Sequence, residues 1–239
     1  MEKLATVLRP NVPYITVSQN DEGLLARSIF KHSDFPNVLV LSAGGYGHVP
    51  VLLMAKLVEP VCKPVEQRSF LVSFMGSLGH APRNLRQDME KKLVRKADEL
   101  KISGKIKISK GSNWRAVMAD SKFQLVPRGF GRSSYHLGET LQMSLIPIQV
   151  YSDIPWVPFR SWFEKLGYLT NVSDLGKLVE QLSRVSSDEI RNREAQIQRL
   201  RESYITPAGQ MKQISNFMTG QLGGGGLECQ KLPESVRDA

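Results

Sequence analysis

Between Arg128 and Glu139 the chain reads Arg-Gly-Phe-Gly-Arg-Ser-Ser-Tyr-His-Leu-Gly-Glu. Gly129 and Gly131 have no Cβ, so the backbone there can come close to a ligand. Ser133 or Ser134 can cap a following helix or donate to a phosphate oxygen. Arg128 and Arg132 can neutralise a diphosphate through charge-assisted hydrogen bonds. Glu139 follows His136 by three residues, so on a helix the two share a face. A carboxylate in that position can accept hydrogen bonds from two vicinal hydroxyls, such as those of a ribose. The spacing alone equally fits a solvent-facing Glu139 paired with an arginine, because an isolated Gly-x-Gly turn is a weak signal.

The flanking residues supply elements that would hold such a site. The apolar run Phe123 to Val126 precedes the turn. A helical pattern with Leu137, Leu141 and Ser144 on one face follows it, and a second apolar run spans Ile146 to Tyr151. This predicts a strand, a glycine-rich turn, a helix and a parallel strand, with the open N–H groups of the helix N-terminus facing an anion. Val38 to Ser42 and Ser69 to Met75 read as further buried strands. Their ends, Ala43 to His48 and Gly76 to His80 with Gly76 and Ser77 foremost, are glycine-rich like Arg128 to Ser134. All three are expected to converge on one crevice. Ala43 to His48 does not make a dinucleotide fingerprint, because its third glycine is missing and Pro50 stands where the helix should begin.

Elsewhere the pattern predicts a helix opened by Pro82 and carrying Leu85, Met89, Leu93, Ala97 and Leu100. A half-exposed strand over Lys105 to Ser109 follows, then a short helix over 113–118 and a strand over Leu166 to Thr170. Asp174 is expected to cap one helix, and Ser187-Asp188-Glu189-Ile190 to open a last helix that Pro207 interrupts. Residues 49–67 read as irregular. Residues 1–36 are expected to be the remnant of a preceding domain, 37–219 one α/β domain, and 220–239 a disordered tail. Strands alternating with helices give a parallel sheet with helices on both faces.

Net charge is +9, from 32 Lys and Arg against 23 Asp and Glu. It favours anionic partners, or else reflects solvated helix faces, since the basic residues are spread along the chain beside acidic ones. No apolar run is long enough to span a membrane. Cys62 and Cys229 offer no disulfide framework, and no His, Cys or carboxylate cluster has the spacing of a metal site. His48 and His80 in glycine loops, and Asp153 after a strand, are lesser candidates for ligand contact. Trp114, Trp156 and Trp162 are expected mainly in the core.

The ensemble Ser121-Lys122-Phe123-Gln124-Leu125-Val126-Pro127-Arg128-Gly129, Ser133-Ser134, Glu139-Thr140-Leu141-Gln142-Met143, Ile146-Pro147-Ile148 and Pro158-Phe159 resembles the C-terminal half of exostosin-type glycosyltransferases. Phe74-Met75-Gly76-Ser77 with Arg83 or Arg86, and Val38 to Gly45, extend the likeness over most of residues 14–205. The resemblance implies a Rossmann-like, GT-B C-terminal domain that binds a nucleotide-sugar, usually UDP-linked, and needs no metal or separate cofactor. It implies transfer of the sugar to a glycan or glycoprotein hydroxyl, usually in the Golgi. By position Glu139 would hold the ribose, with Arg128, Gly129, Gly131, Arg132, Ser133, Ser134, His136, Gly76 and Ser77 around the diphosphate. His136 stands where the family usually has arginine, and Ser144-Leu145 replaces a small pair. The acceptor side and catalytic base are expected to be absent, so no catalytic residue is assigned. Two rivals remain: a nucleotide-sugar-binding module that does not catalyse transfer, and a basic polyanion or nucleic-acid binder.

Overall fold

The computed structural model describes residues 6–21, 23, 32–221 and 224–230. Two parallel sheets form. The first has the order β1-β2-β3 and consists of β1 (Tyr14–Ser18), β2 (Val38–Ser42) and β3 (Val49–Pro50). β1 and β2 run in register from Tyr14 against Val38 to Ser18 against Ser42. The pairing therefore joins residues on both sides of the expected boundary at 36/37. Part of the expected remnant, residues 1–5, 22 and 24–31, lies outside the described residues.

The second sheet contains β4 (Phe70–Met75), β5 (Ile106–Ser109), β6 (Ser121–Pro127), β7 (Ile146–Tyr151) and β8 (Tyr168–Asn171) in the order β5-β4-β6-β7-β8. All its pairs are parallel. Parallel strands covered on both faces need apolar side chains on both faces. β6 meets that requirement, with every residue except Lys122 buried. Gln124 is buried as well, and its amide joins Ser73 Oγ and the Met118 carbonyl rather than solvent. The chain leaves β4 outward to β5 and then returns to the other side of β4 as β6. The carboxyl ends of β4 and β6 thus flank the topological switch point, where open α/β sheets place their ligands.

Seven helices are described: α1 (Leu85–Glu99), α2 (Trp114–Ala119), α3 (Tyr135–Gln142), α4 (Arg160–Leu166), α5 (Leu175–Leu182), α6 (Ser187–Leu200) and α7 (Pro207–Met218). α1 packs on α5, whereas α3 and α6 pack on β7. Leu85, Met89, Leu93 and Ala97 form the buried stripe of α1, as their spacing predicts. The helix begins at Leu85 and not at Pro82, because Arg83 and Asn84 intervene with φ of 53° and 54°.

Other boundaries differ for local reasons. Ser186, one residue before the expected position, caps α6 by accepting from the Glu189 N–H. The helical run from Ser187 continues through a π-helical turn, Arg201–Ile205, and stops just before Pro207 as expected. Pro207 also opens a further helix, α7: it occupies the first turn, and the Thr206 hydroxyl accepts from the Gly209 N–H. Residues 160–166, expected only to pack aromatically, form α4, so β8 starts at Tyr168. Part of the expected disordered tail is docked. Leu227 is buried, and Gln230 donates to the carbonyls of His48 and Pro155. Residues 222–223 and 231–239 lie outside the described residues.

The two sheets share one apolar core. Trp156, fully buried after β7, donates its indole N–H to the Ser42 carbonyl at the end of β2 at 2.9 Å.

Candidate functional site

Three strand ends meet, as the topology requires. The Arg132 N–H donates to the Gly44 carbonyl at 2.8 Å, tying the β2 loop to the turn after β6. The contact is close enough to require glycine. A Cβ on Gly131 would stand 1.2 Å from the Asp21 carbonyl oxygen, and one on Gly44 would stand 2.1 Å from the same atom. On the other side, the loop after β4 reaches the turn through Arg86. Its guanidinium donates to the Ser77 carbonyl at 2.8 Å and to the Arg128 carbonyl at 3.1 Å. Within the turn, the Gly129 N–H closes onto the Ser133 carbonyl at 3.1 Å.

Arg128 and Arg132 are buried and hold the turn. Arg128 donates to the carbonyls of Gly131 and Phe130 and to the Asp153 carboxylate, the last at 2.9 Å. Arg132 reaches the other oxygen of Asp153 at 2.8 Å and stacks over the Tyr46 ring. Burial pushes the Asp153 carboxyl up. The Ile154 N–H and the two guanidiniums outweigh that and hold it below its ordinary value.

The first turn of α3 carries a different kind of group. Ser133 Oγ, Ser134 Oγ and His136 Nε2 are buried and have no hydrogen-bond partner within the protein. Ser134 occupies the cap position, yet its hydroxyl makes no capping bond. The Leu137 N–H donates to the Ser134 carbonyl at 3.1 Å, which leaves the Tyr135 and His136 amides to meet an outside acceptor. Buried polar atoms rarely go unpaired. Three at one helix N-terminus, where the dipole favours negative charge, fit an anion with several acceptor oxygens.

Glu139 lies one turn further along α3, with a carboxylate oxygen 3.5 Å from His136 Nδ1. Beneath, His136 meets the edge of the Phe74 ring, and the Arg86 guanidinium lies over the same ring, 5.3 Å from its centroid. Gly76 is fixed by donation from its N–H to the Ser109 carbonyl, and the Ser77 hydroxyl accepts from the Gly79 N–H. The structure thus places Gly76, Ser77, Gly129, Ser133, Ser134, His136 and Glu139 at or just beyond the carboxyl ends of β4 and β6, with buried Arg128, Gly131 and Arg132 holding the turn.

Among solved structures, a TarM variant from S. aureus in complex with fondaparinux, α-GlcNAc-glycerol and UDP is similar with TM-score 0.50 and 13% identity. The likeness covers 90% of this chain and 52% of that one. The fold is that of the GT-B glycosyltransferases. A GtfA/B complex is similar at TM-score 0.48 and 12% identity, over 87% of this chain and 45% of that one. The lipopolysaccharide outer core galactosyltransferase WaaB is similar at 0.41 and 15%, over 78% and 58%. This chain therefore spans about half the length of the TarM chain it matches. No protein-family model matches the sequence, and no curated protein is similar to it in sequence.

Within the GT-B frame, Arg86 is the functional candidate that residue spacing did not single out. It is buried, and its acceptors are main-chain carbonyls, with no carboxylate pairing it among the described residues. Burial pushes its guanidinium down to about 10 from 12.5. An anion at the switch point would offset that desolvation. Spacing leaves Arg86 like any polar residue of an amphipathic helix, and the family likeness leaves it beside Arg83. Burial at the start of α1 and donation to the Ser77 and Arg128 carbonyls separate it from exposed Arg83.

Of the lesser candidates, His48, Asp153, Trp156 and Trp162 serve the scaffold. His48 Nδ1 accepts from the Val40 N–H at 2.9 Å, and Trp162 stacks on Phe159 with ring centroids 5.4 Å apart. No helix among the described residues is long and apolar enough to cross a membrane.

Proposed function

We propose that this chain is the donor-binding part of an exostosin-like glycosyltransferase that transfers a sugar from a UDP-linked donor to a glycan hydroxyl. The observation that carries this reading is the α3 N-terminus: three unpartnered buried polar atoms, the first two amides of the helix and Glu139 one turn away, beside an arginine with no carboxylate partner among the described residues. A nucleoside diphosphate meets each demand. Its phosphate oxygens accept from the amides, the Ser133 and Ser134 hydroxyls and His136. Its charge offsets Arg86, and its ribose hydroxyls donate to Glu139. UDP in the TarM structure supports the choice of nucleotide.

Catalytically, the same groups stabilise the diphosphate as it leaves. The donor is a substrate, and no further cofactor enters the proposal. The base that deprotonates the acceptor hydroxyl is not assigned to this chain.

Thermal-shift titration with UDP, GDP and UDP-sugars tests the site. At about a hundred times its Kd a ligand stabilises by ~2.7 kcal/mol, or roughly 5–11 °C for a chain of this size. UDP is expected to produce that shift in the wild type and to lose it in Glu139→Ala. If no nucleotide shifts the transition, the donor site falls. Product formation by the 239-residue chain from a UDP-sugar and a glycan would establish transfer itself, whereas binding without product leaves a donor module.

A further inference from the structure

We propose that Phe130, held at the tip of an immobilised turn beside His80, is the stacking platform for the sugar ring of the donor and sets which sugar is accepted. This inference rests on the donor-site reading above.

Exposure is the first observation. Phe130 and Tyr135 are 47% and 53% exposed. Among the described residues they are the aromatic side chains, histidine aside, that reach the exposed class, and they flank the start of α3. A phenyl ring in water forgoes the burial that would stabilise the fold. A lone exposed apolar residue on a loose loop needs no explanation, but this loop is not loose.

Rigidity is the second observation. Buried Arg128 donates to the Phe130 carbonyl and to the Gly131 carbonyl, both at 3.0 Å, fixing the main chain on either side of the exposed ring. Gly131 is pressed against the Asp21 and Gly44 carbonyls, and the Gly129 N–H closes onto Ser133. The turn cannot swing the ring away without breaking these contacts.

Position is the third. The Phe130 and His80 rings are tilted against each other with centroids 5.9 Å apart. Phe130 belongs to the loop after β6 and His80 to the loop after β4, so the pair bridges the two loops that flank the switch point. With the diphosphate at the first turn of α3, Glu139 lies on the helix side and Phe130 on the turn side. The ribose end occupies the former, which leaves the latter for the sugar. The apolar C–H face of a pyranose on a fixed aromatic ring is a geometry in which one equatorial or axial hydroxyl decides the fit.

Calorimetry of the full chain with UDP, UDP-glucose, UDP-galactose, UDP-xylose and UDP-N-acetylglucosamine tests this. Phe130→Ala is expected to leave UDP affinity within about twofold of wild type. The UDP-sugar that wild type binds best should weaken roughly 3–10-fold, a loss of the size aromatic contacts carry. Phe130→Tyr should restore it, and an unchanged Tm for Phe130→Ala excludes misfolding as the cause. Equal losses for UDP and UDP-sugar would put the ring against the base or phosphates and overturn the proposal. Wild-type-like affinities for all five ligands in Phe130→Ala, or wild type that binds UDP and none of the four UDP-sugars, would also overturn it and leave the donor site standing. Absence of all nucleotide binding in wild type would remove both.

Discussion

Asp153 faces both Arg128 and Arg132, and its loss would leave two buried guanidiniums without the carboxylate they share. Asp153→Asn is expected to destabilise by about 1–3 kcal/mol, the usual cost of stranding buried polar groups, read as a fall in chemical-denaturation midpoint. The pH dependence has a definite sign. Asp153 titrates below its ordinary value of 3.8 in the folded chain, so its contribution is present above that value and lost as pH falls through the lower folded one. Asp120 behaves alike: its hydrogen bond from Lys63 leads the causes that bring its carboxyl from 3.8 to about 2. Acid denaturation followed by circular dichroism should therefore show stability falling between pH 3.8 and about 2. Asp153→Asn should flatten that slope. Gly131→Ala tests the close approach instead. With its Cβ 1.2 Å from the Asp21 carbonyl oxygen, the turn and the β2 loop must separate, and UDP should no longer shift the melting temperature.

At the level of helices and strands, α3 is fixed at both ends. Its last carbonyl, that of Gln142, accepts from buried Arg201 at 2.9 Å, a cation placed where the helix dipole is negative. Behind it, α6 is clamped to the start of β4 by Arg68 and Glu194, whose atoms approach to 2.5 and 3.0 Å. Arg68→Ala strands a buried carboxylate and is expected to cost about 3–5 kcal/mol, or roughly 6–20 °C in Tm. Arg68→Met with Glu194→Leu should be less destabilised than the single change, because no charge is left unpaired. This scale also shows what the sequence makes legible. The βαβ unit around the turn could be read because apolar runs of fixed length and a glycine-rich interruption are local signals. Pro207 was legible as the stop of the preceding helix but not as the start of α7, because one proline can end one helix and occupy the first turn of the next. The cap lies one residue earlier than expected because Ser186, and not Ser187, has a glutamate three residues on, Glu189. Arg86 could not be told from Arg83 in the sequence, since what separates them is its contacts with Pro127 and Arg128 some forty residues away.

For the molecule as a whole, the crevice is a property of topology before it is a property of any residue. The order β5-β4-β6-β7-β8 opens a switch point between β4 and β6, and the short β1-β2-β3 sheet lays its glycine loop across the neighbouring turn. Alternating strands and helices in the sequence pointed to a parallel sheet but not to its strand order, and the glycine-rich ends of β2 and β6 were expected to converge. That β2 pairs with β1 in a separate sheet was not legible, because apolar runs alone do not encode which strands pair. The central claim is that this crevice holds a nucleoside diphosphate between the α3 N-terminus, Arg86 and Glu139. Isothermal titration of UDP into wild type, Arg86→Gln, Glu139→Ala and the surface control Glu164→Ala measures it directly. The prediction is saturable binding in wild type and Glu164→Ala, and at least about tenfold weaker binding in both site variants, as loss of a charged hydrogen bond implies. Absence of binding heat in wild type, or the same affinity in all four proteins, would contradict it.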